Sequence, residues 1–392
     1  MNSFLNDFRD SRTADFITAL LLFTATTFLS GIYSYLCLII FSMLLFLYSD
    51  LSLIKRNKAV FWAFSFLFLT QCIFLIFDYV NTERLDISYG NPFLGFISFI
   101  LMIMVTKSLN RRVIFYVVYL ICFEVFIAVF EHIIGQPYIT PLQLKASVNE
   151  IGSLQSFDAH STDFYNNSVY GLGSTSSSLS FKLIFFLLVC KAVGIKLSRI
   201  VILLFVLGSV LAFSRMAIFC LLVYFVIEFS KNRYAVLISP LLIAILIFVI
   251  YSFSNVFLKG YQLDIDTLLS DKVLNAITSS RYTIWNAYIE NAPKNWLLGY
   301  YGETKAFDVG YVVTTNPHNT YLYLFFKQGF AGLFLYMLSL YSAFYSANKL
   351  YLLPLLLYSI TSVTLGFYFS IYDVVIFYLL FNIDNFKDGS KE

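Results

Sequence analysis

From Asp15 to Leu53 the chain runs almost unbroken through apolar residues, and stretches of the same kind recur to its C-terminal end. Each is near the roughly 20 residues that an α-helix needs to cross a bilayer. Lipid offers no hydrogen bonds to a bare backbone, so such segments are read as helices that pair every N–H and C=O internally. Composition agrees: 59% of the 392 residues are hydrophobic and 12% are charged, against roughly 25% charged in ordinary soluble domains. The predicted class is all-α, a polytopic membrane protein of about twelve transmembrane helices. Spans are expected near 15–30, 34–53, 59–80, 92–106, 113–134, 179–195, 199–213, 216–230, 234–256, 320–346, 350–367 and 371–384. The first apolar stretch is too long for a cleavable leader and lacks a small-residue cleavage site, so two spans with a turn near Gly31 are expected there.

Basic residues set the orientation, because short cytoplasmic connections are rich in Lys and Arg. Arg9 and Arg12 precede the first span. Lys55, Arg56 and Lys58 follow the second, and Lys107, Arg111 and Arg112 the fourth. Lys191, Lys196 and Arg199, then Lys231 and Arg233, then Lys349, and finally Lys387 and Lys391 fall in the same phase. Both termini are therefore predicted on the cytoplasmic side. Two long loops, about 135–178 and 257–319, are predicted on the opposite face, within a single integral membrane domain covering 1–392. The net charge of +3 is too small to suggest nucleic acid as a partner. All five cysteines sit in apolar segments, so neither a disulfide framework nor a zinc site is expected.

The candidate chemistry gathers around the second loop. A helix is expected over 280–290, with Tyr282, Trp285 and Ile289 along one side and Ser279 or Ser280 as its cap. Arg281 falls in its first turn, where the helix dipole disfavours a cation. A compensating anion would explain it; a solvated loop arginine would also do so. Pro317-His318-Asn319 precedes an apolar span, with Asn319 a plausible N-cap. That holds His318 at the mouth of a membrane helix. Histidine suits proton transfer near neutral pH, although a lone histidine is often structural. Arg215 lies between two apolar spans on the same predicted face. It can hold an anionic headgroup or simply snorkel. Guanidinium groups bind phosphate oxygens as a fork, so two arginines beside one histidine suggest a lipid-diphosphate site that needs no metal.

Weaker features stand beside these. Asp264-Ile265-Asp266 has a metal-binding spacing, too short to carry a site. Glu131-His132 ends the fifth span, as an interfacial pair or as lining of an acceptor path. The stretch 171–180 (GLGSTSSSLS) suits a tight turn. Lys182 and Lys327 are expected to snorkel, and the middles of the spans look almost free of charge. This last pattern argues against a transporter, which usually carries functional charge at the bilayer midplane. A metal-dependent transferase would need an early acidic cluster, for which only Glu83 and Asp86 are available.

The ordered set of Ser214-Arg215, Arg281 to Trp285 followed by Gly299 and Gly302, and His318-Asn319 followed by nine residues and then Gly329 and Gly332 resembles the O-antigen polymerase and O-antigen ligase family of bacterial inner membranes. The resemblance is strongest over 200–335. It implies inverting, metal-independent and cofactor-free transfer of a glycan from undecaprenyl diphosphate. Arg215, Arg281 and His318 are its implied catalytic residues; Asn319, Tyr282, Trp285 and Glu131 are expected at the substrate. Polymerases join a lipid-linked glycan to another lipid-linked repeat unit, and ligases move it to lipid A-core. Polymerase is the expected activity, with ligase as the alternative. The expected partners are undecaprenyl-diphosphate-linked repeat units, the bilayer and a chain-length-regulating co-polymerase.

Overall fold

The computed structural model describes residues 12–27, 110–134, 169, 171–172, 176–212, 214–230, 274–275, 278, 281–300, 305–308, 313–314 and 317–346, with isolated positions at 40, 69–83, 357 and 379. Seven helices run through them: α1 (Arg12–Thr27), α2 (Arg111–Ile134), α3 (Ser176–Val193), α4 (Arg199–Leu211), α5 (Arg215–Ser230), α6 (Arg281–Glu290) and α7 (Thr320–Ser346). One short antiparallel ladder pairs β1 (Phe307–Asp308) with β2 (Val313–Thr314). The expected helix over 280–290 and the spans at 15–30, 113–134, 179–195, 199–213, 216–230 and 320–346 correspond to these helices within a few residues. The small ladder departs from the all-α expectation. The spans expected at 92–106 and 234–256 lie outside the described residues, as do all but Ile40 of 34–53, all but Leu357 of 350–367, all but Leu379 of 371–384, more than half of 59–80, most of the loop 135–178 and about half of the loop 257–319. Among the described residues, α2 and the Thr320–Leu338 part of α7 are long and apolar enough to cross a membrane.

The bundle forms around α3. Its residues from Leu183 to Cys190 are all buried, since α1, α2, α4 and α5 pack around it. A helix apolar on every side belongs in a core or in lipid, and α3 takes the core. α2 divides instead. Val113, Val117, Ile121, Val125 and Ala128 face the bundle, whereas Tyr119, Phe123, Phe126 and Phe130 are exposed, the pattern of a helix with one lipid-facing side. Threonines in α1 return their hydroxyls to the preceding turn: Thr24 to the Leu20 carbonyl at 2.8 Å, Thr26 to Leu22 at 2.8 Å and Thr27 to Phe23 at 2.7 Å. That satisfies polar groups where no water reaches.

Polar contacts at one end tie the helices in a consistent direction. Asp15 at the start of α1 accepts from Asn110 (2.7 Å) and Arg112 (3.2 Å) at the start of α2. Lys191 at the end of α3 pairs with Glu228 at the end of α5 at 2.6 Å. Arg111 donates to the Val193 carbonyl at 3.3 Å. These are the ends expected on the cytoplasmic side from the distribution of Lys and Arg.

Within the bundle, the expectation of nearly charge-free spans does not hold. Lys182 does not snorkel. Its ammonium pairs with Glu124 of α2, donates to Thr27 Oγ1 at 2.7 Å and lies 4.9 Å from the centre of the Phe23 ring. Both charged side chains are fully buried. The other Glu124 oxygen accepts the Leu172 N–H at 3.0 Å, and Val169 N–H donates to the Leu211 carbonyl at 3.0 Å. The residues entering α3 are thus pinned over the end of α4. The reason is energetic: an isolated charge in an apolar interior is very costly, and a partner with further hydrogen bonds offsets that cost. Lys327 stays within α7, its Nζ donating to Tyr323 Oη at 3.3 Å.

α7 is broken. Gly329 has φ 66° and ψ −164°, outside any helix. The turn at 296–300 fills the break. Tyr300 N–H donates to the Phe326 carbonyl (2.8 Å), while Phe330 and Ala331 N–H donate to the Trp296 (2.9 Å) and Leu297 (3.1 Å) carbonyls. The two backbones touch at Gly299 and Gly329. A Cβ on Gly299, itself at φ +64°, would lie 2.4 Å from the Phe326 carbonyl oxygen and 2.6 Å from the Gly329 nitrogen. Gly299→Ala is therefore expected to destabilise the protein by roughly 2–4 kcal/mol, adding steric overlap to left-handed strain. Gly194 has a similar φ, +77°, with nothing within 4 Å of the added carbon, so Gly194→Ala should show only the smaller backbone cost. Thermal unfolding in detergent compares the two; equal effects would mean that the crossing is not tight.

Candidate active site

Between the end of α6 and the start of α7 the described residues form a small apolar knot. Ile284 and Tyr288 of α6 pack on Phe326 of α7, with Phe307 of β1 and Tyr300 alongside. The Tyr288 ring lies 4.5 Å from Phe307 and 4.9 Å from Phe326. The face of α6 that is buried is thus Ile284–Tyr288; Ile289, expected on the same side as Tyr282 and Trp285, is 60% exposed. The first N–H groups of α6 find acceptors upstream. Tyr282 N–H donates to Thr278 Oγ1 at 3.0 Å and Thr283 N–H to Asn275 Oδ1 at 2.9 Å. Ser279 and Ser280, the expected caps, lie outside the described residues.

This knot brings the two loop residues together. Trp285 Nε1 donates to the Pro317 carbonyl at 2.8 Å. Asn319 caps α7, its Oδ1 accepting from Tyr321 N–H at 2.9 Å and Leu322 N–H at 3.0 Å. His318 is held between these anchors at φ 49°. A left-handed backbone is uncommon for a residue other than glycine, and strain of this kind concentrates at functional sites. Its imidazole lies near enough to Arg281 for their charges to interact. Burial first, and then the Arg281 guanidinium, push its pKa down from 6.5 to about 4. Partial exposure of the residue still leaves it reachable. At neutral pH the ring is uncharged, so it can accept a proton. An arginine and a neutral imidazole, side by side on constrained backbone, can bind an anion and take up a proton from a neighbouring hydroxyl.

The other expected residues fall as follows. Tyr282 and Trp285 are partly buried on α6, next to Arg281. Arg215 opens α5, with Ser214 as its cap: Ser214 Oγ accepts from Ala217 N–H at 3.4 Å. The side chain of Arg215 lies outside what the structure describes. Glu131 is buried in the last turn of α2. Asp264, Asp266 and Asp86 lie outside the described residues. Sequence reasoning missed the Glu124–Lys182 pair and the joining of 296–300 to the break in α7; the glycines at 299 and 329 were the available signal for the second.

The stretch that contains this geometry runs from α4 into α7. Residues 200–337 match the family model for O-antigen ligase. The match includes Arg215, Arg281, Trp285 and His318 and ends just past the break in α7. It supports the resemblance to the O-antigen polymerase and ligase family. Members of the family are membrane-associated, glycosyltransferase-like enzymes of O-antigen and lipopolysaccharide biosynthesis. No curated protein and no solved structure matches the chain.

Proposed function

We propose that the chain is an O-antigen (surface polysaccharide) polymerase of the bacterial inner membrane. It has about twelve spans, both termini in the cytoplasm, and its site on the periplasmic face. The observation that carries the reading is the pairing of Arg281 with a neutral, backbone-constrained His318 inside the stretch that matches the O-antigen ligase family. The donor is a glycan on undecaprenyl diphosphate, and the acceptor a second undecaprenyl-diphosphate-linked repeat unit. An acceptor hydroxyl attacks the anomeric carbon from the face opposite the diphosphate, inverting it. The bond from that carbon to the diphosphate oxygen breaks, the hydroxyl proton passes to His318, and undecaprenyl diphosphate departs. Arg281 and Arg215 stabilise the charge on the departing oxygens, a role that fixed guanidinium groups fill without a metal. An anion at Arg281 also raises the basicity of His318, since it offsets the positive charge holding the imidazole pKa down. Asn319, Tyr282 and Trp285 hold the acceptor sugar and the geometry around it, with Glu131 along the acceptor path. A chain-length-regulating co-polymerase is the expected partner.

A ligase is the second reading, because the matching family model is described as O-antigen ligase. Lipopolysaccharide from a strain deleted for the gene separates the two. Loss of the polymerase leaves core carrying a single repeat unit. Loss of a ligase leaves bare core.

A further inference from the structure

Within the long loop before α7, the exposed surface changes character over a few residues. Glu290, Asn291 and Lys294 are exposed and polar. Trp296 and Leu297 follow, 62% and 48% exposed. Lys305 and Asp308 then return the surface to polar. The apolar tip does not stand alone. Trp296 packs against Phe330 of α7 with ring centres 6.2 Å apart, and Phe330 stacks on Phe334 at 6.1 Å. Phe330, Phe334, Met337 and Leu338 are all exposed, so the tip continues one apolar face of a helix long and apolar enough to cross a membrane.

Depth follows from helix geometry. Gly329 lies nine residues beyond Thr320, about 14 Å along the axis at about 1.5 Å per residue. Lys294 is exposed and, two residues away, lies within about 7 Å of Trp296; with Lys294 at the headgroups, the start of α7 stands above the hydrocarbon edge and the break lies in the outer part of a layer of about 30 Å. The 296–300 turn is hydrogen-bonded at this level, to Phe326, Phe330 and Ala331. Non-helical backbone is tolerated at that depth only when its polar groups are paired within protein. Here the break in α7 supplies the pairing: its interrupted helical groups and the entering turn satisfy each other.

We propose that residues 296–300 form a re-entrant segment of the loop, inserted into the bilayer beside α7, with Trp296 and Leu297 facing lipid acyl chains. The loop predicted over 257–319 is then not wholly extracytoplasmic. This rests on reading α7 as a membrane span and not on the glycosyl-transfer chemistry. The segment would anchor the knot that holds Arg281 and His318 at a fixed height above the hydrocarbon edge.

Spin labels report the depth directly. In a background with the five native cysteines replaced, Trp296→Cys, Leu297→Cys, Asn291→Cys and Lys294→Cys are labelled one at a time in reconstituted bilayers. Oxygen, which partitions into acyl chains, should collide severalfold more often with labels at 296 and 297. A water-soluble nickel chelate should collide severalfold more often with those at 291 and 294. Free collision of the nickel chelate at 296 and 297 would overturn the proposal. So would exclusion of both reagents, which would mean that protein and not lipid covers the face. Quenching of Trp296 fluorescence by lipids brominated mid-chain, with Trp62 and Trp285 changed to Phe, tests the same insertion without altering Trp296. Absence of quenching there would likewise overturn it.

Discussion

Lys182→Met should unfold the bundle more readily than any other single change named above. The substitution leaves Glu124 buried against Gly171 and Leu172, without the ammonium that pairs with it. Removing one member of a buried pair typically costs about 3–5 kcal/mol, because the remaining charge has neither water nor partner. The cost should fall largely away in the double variant Lys182→Met/Glu124→Gln. That variant has no buried charge, and the new amide oxygen can still accept the Leu172 N–H. The shape of the result separates two accounts of the pair. If the double variant melts near the parent, the pair itself is close to neutral in stability and its parts are interdependent. If Lys182→Met alone melts like the parent, the two groups are not an ion pair in a dry interior.

The second large effect concerns His318. Its left-handed backbone makes alanine an ambiguous probe, since the change removes the imidazole and strains the chain at once. Asparagine tolerates that backbone better and offers no useful base. His318→Asn is therefore expected to reduce transfer by about 10²–10⁴-fold, the usual range for a general base, with thermal stability close to the parent. The pH dependence carries an independent sign. With its pKa lowered to about 4 from 6.5, native His318 binds fewer protons than the unfolded chain between those values. Its contribution to stability is therefore complete above about pH 6.5 and declines as pH falls towards 4. Without substrate, ring titration by NMR should show no protonation step near 6.5. A step at the ordinary value would mean that neither burial nor Arg281 acts on the ring.

Much of the helical plan was legible because it rests on local pattern. The apolar run from Val113 to Ile134 and the basic pair before it mark α2 with hardly any tertiary information. Asn319 marks the start of α7 as clearly, since a cap bonds to residues two and three places on. What escaped the sequence depends on partners distant along the chain. Glu124 and Lys182 each look like an isolated charge in an apolar run, and only the packing of α2 on α3 makes them a pair. Gly329 reads as a tolerated glycine inside a long helix until the 296–300 turn is placed against it. Which side of α6 is buried was not legible for a related reason. Periodicity identifies a helix, but Phe307 and Phe326 decide which of its faces is buried. At the site, the residue types and their order suggested Arg281 and His318, whereas the left-handed backbone at 318 and the tie from Trp285 to Pro317 had no sequence signal beyond the proline.

The most direct test is a gel of lipopolysaccharide from the deletion strain carrying the wild-type gene, His318→Asn or Arg281→Ala, with each protein present in the membrane at equal amounts. The account predicts a ladder of repeat units restored by the wild type alone, and a single-repeat band with either variant. A full ladder from both variants would contradict the assignment of Arg281 and His318 to glycan transfer.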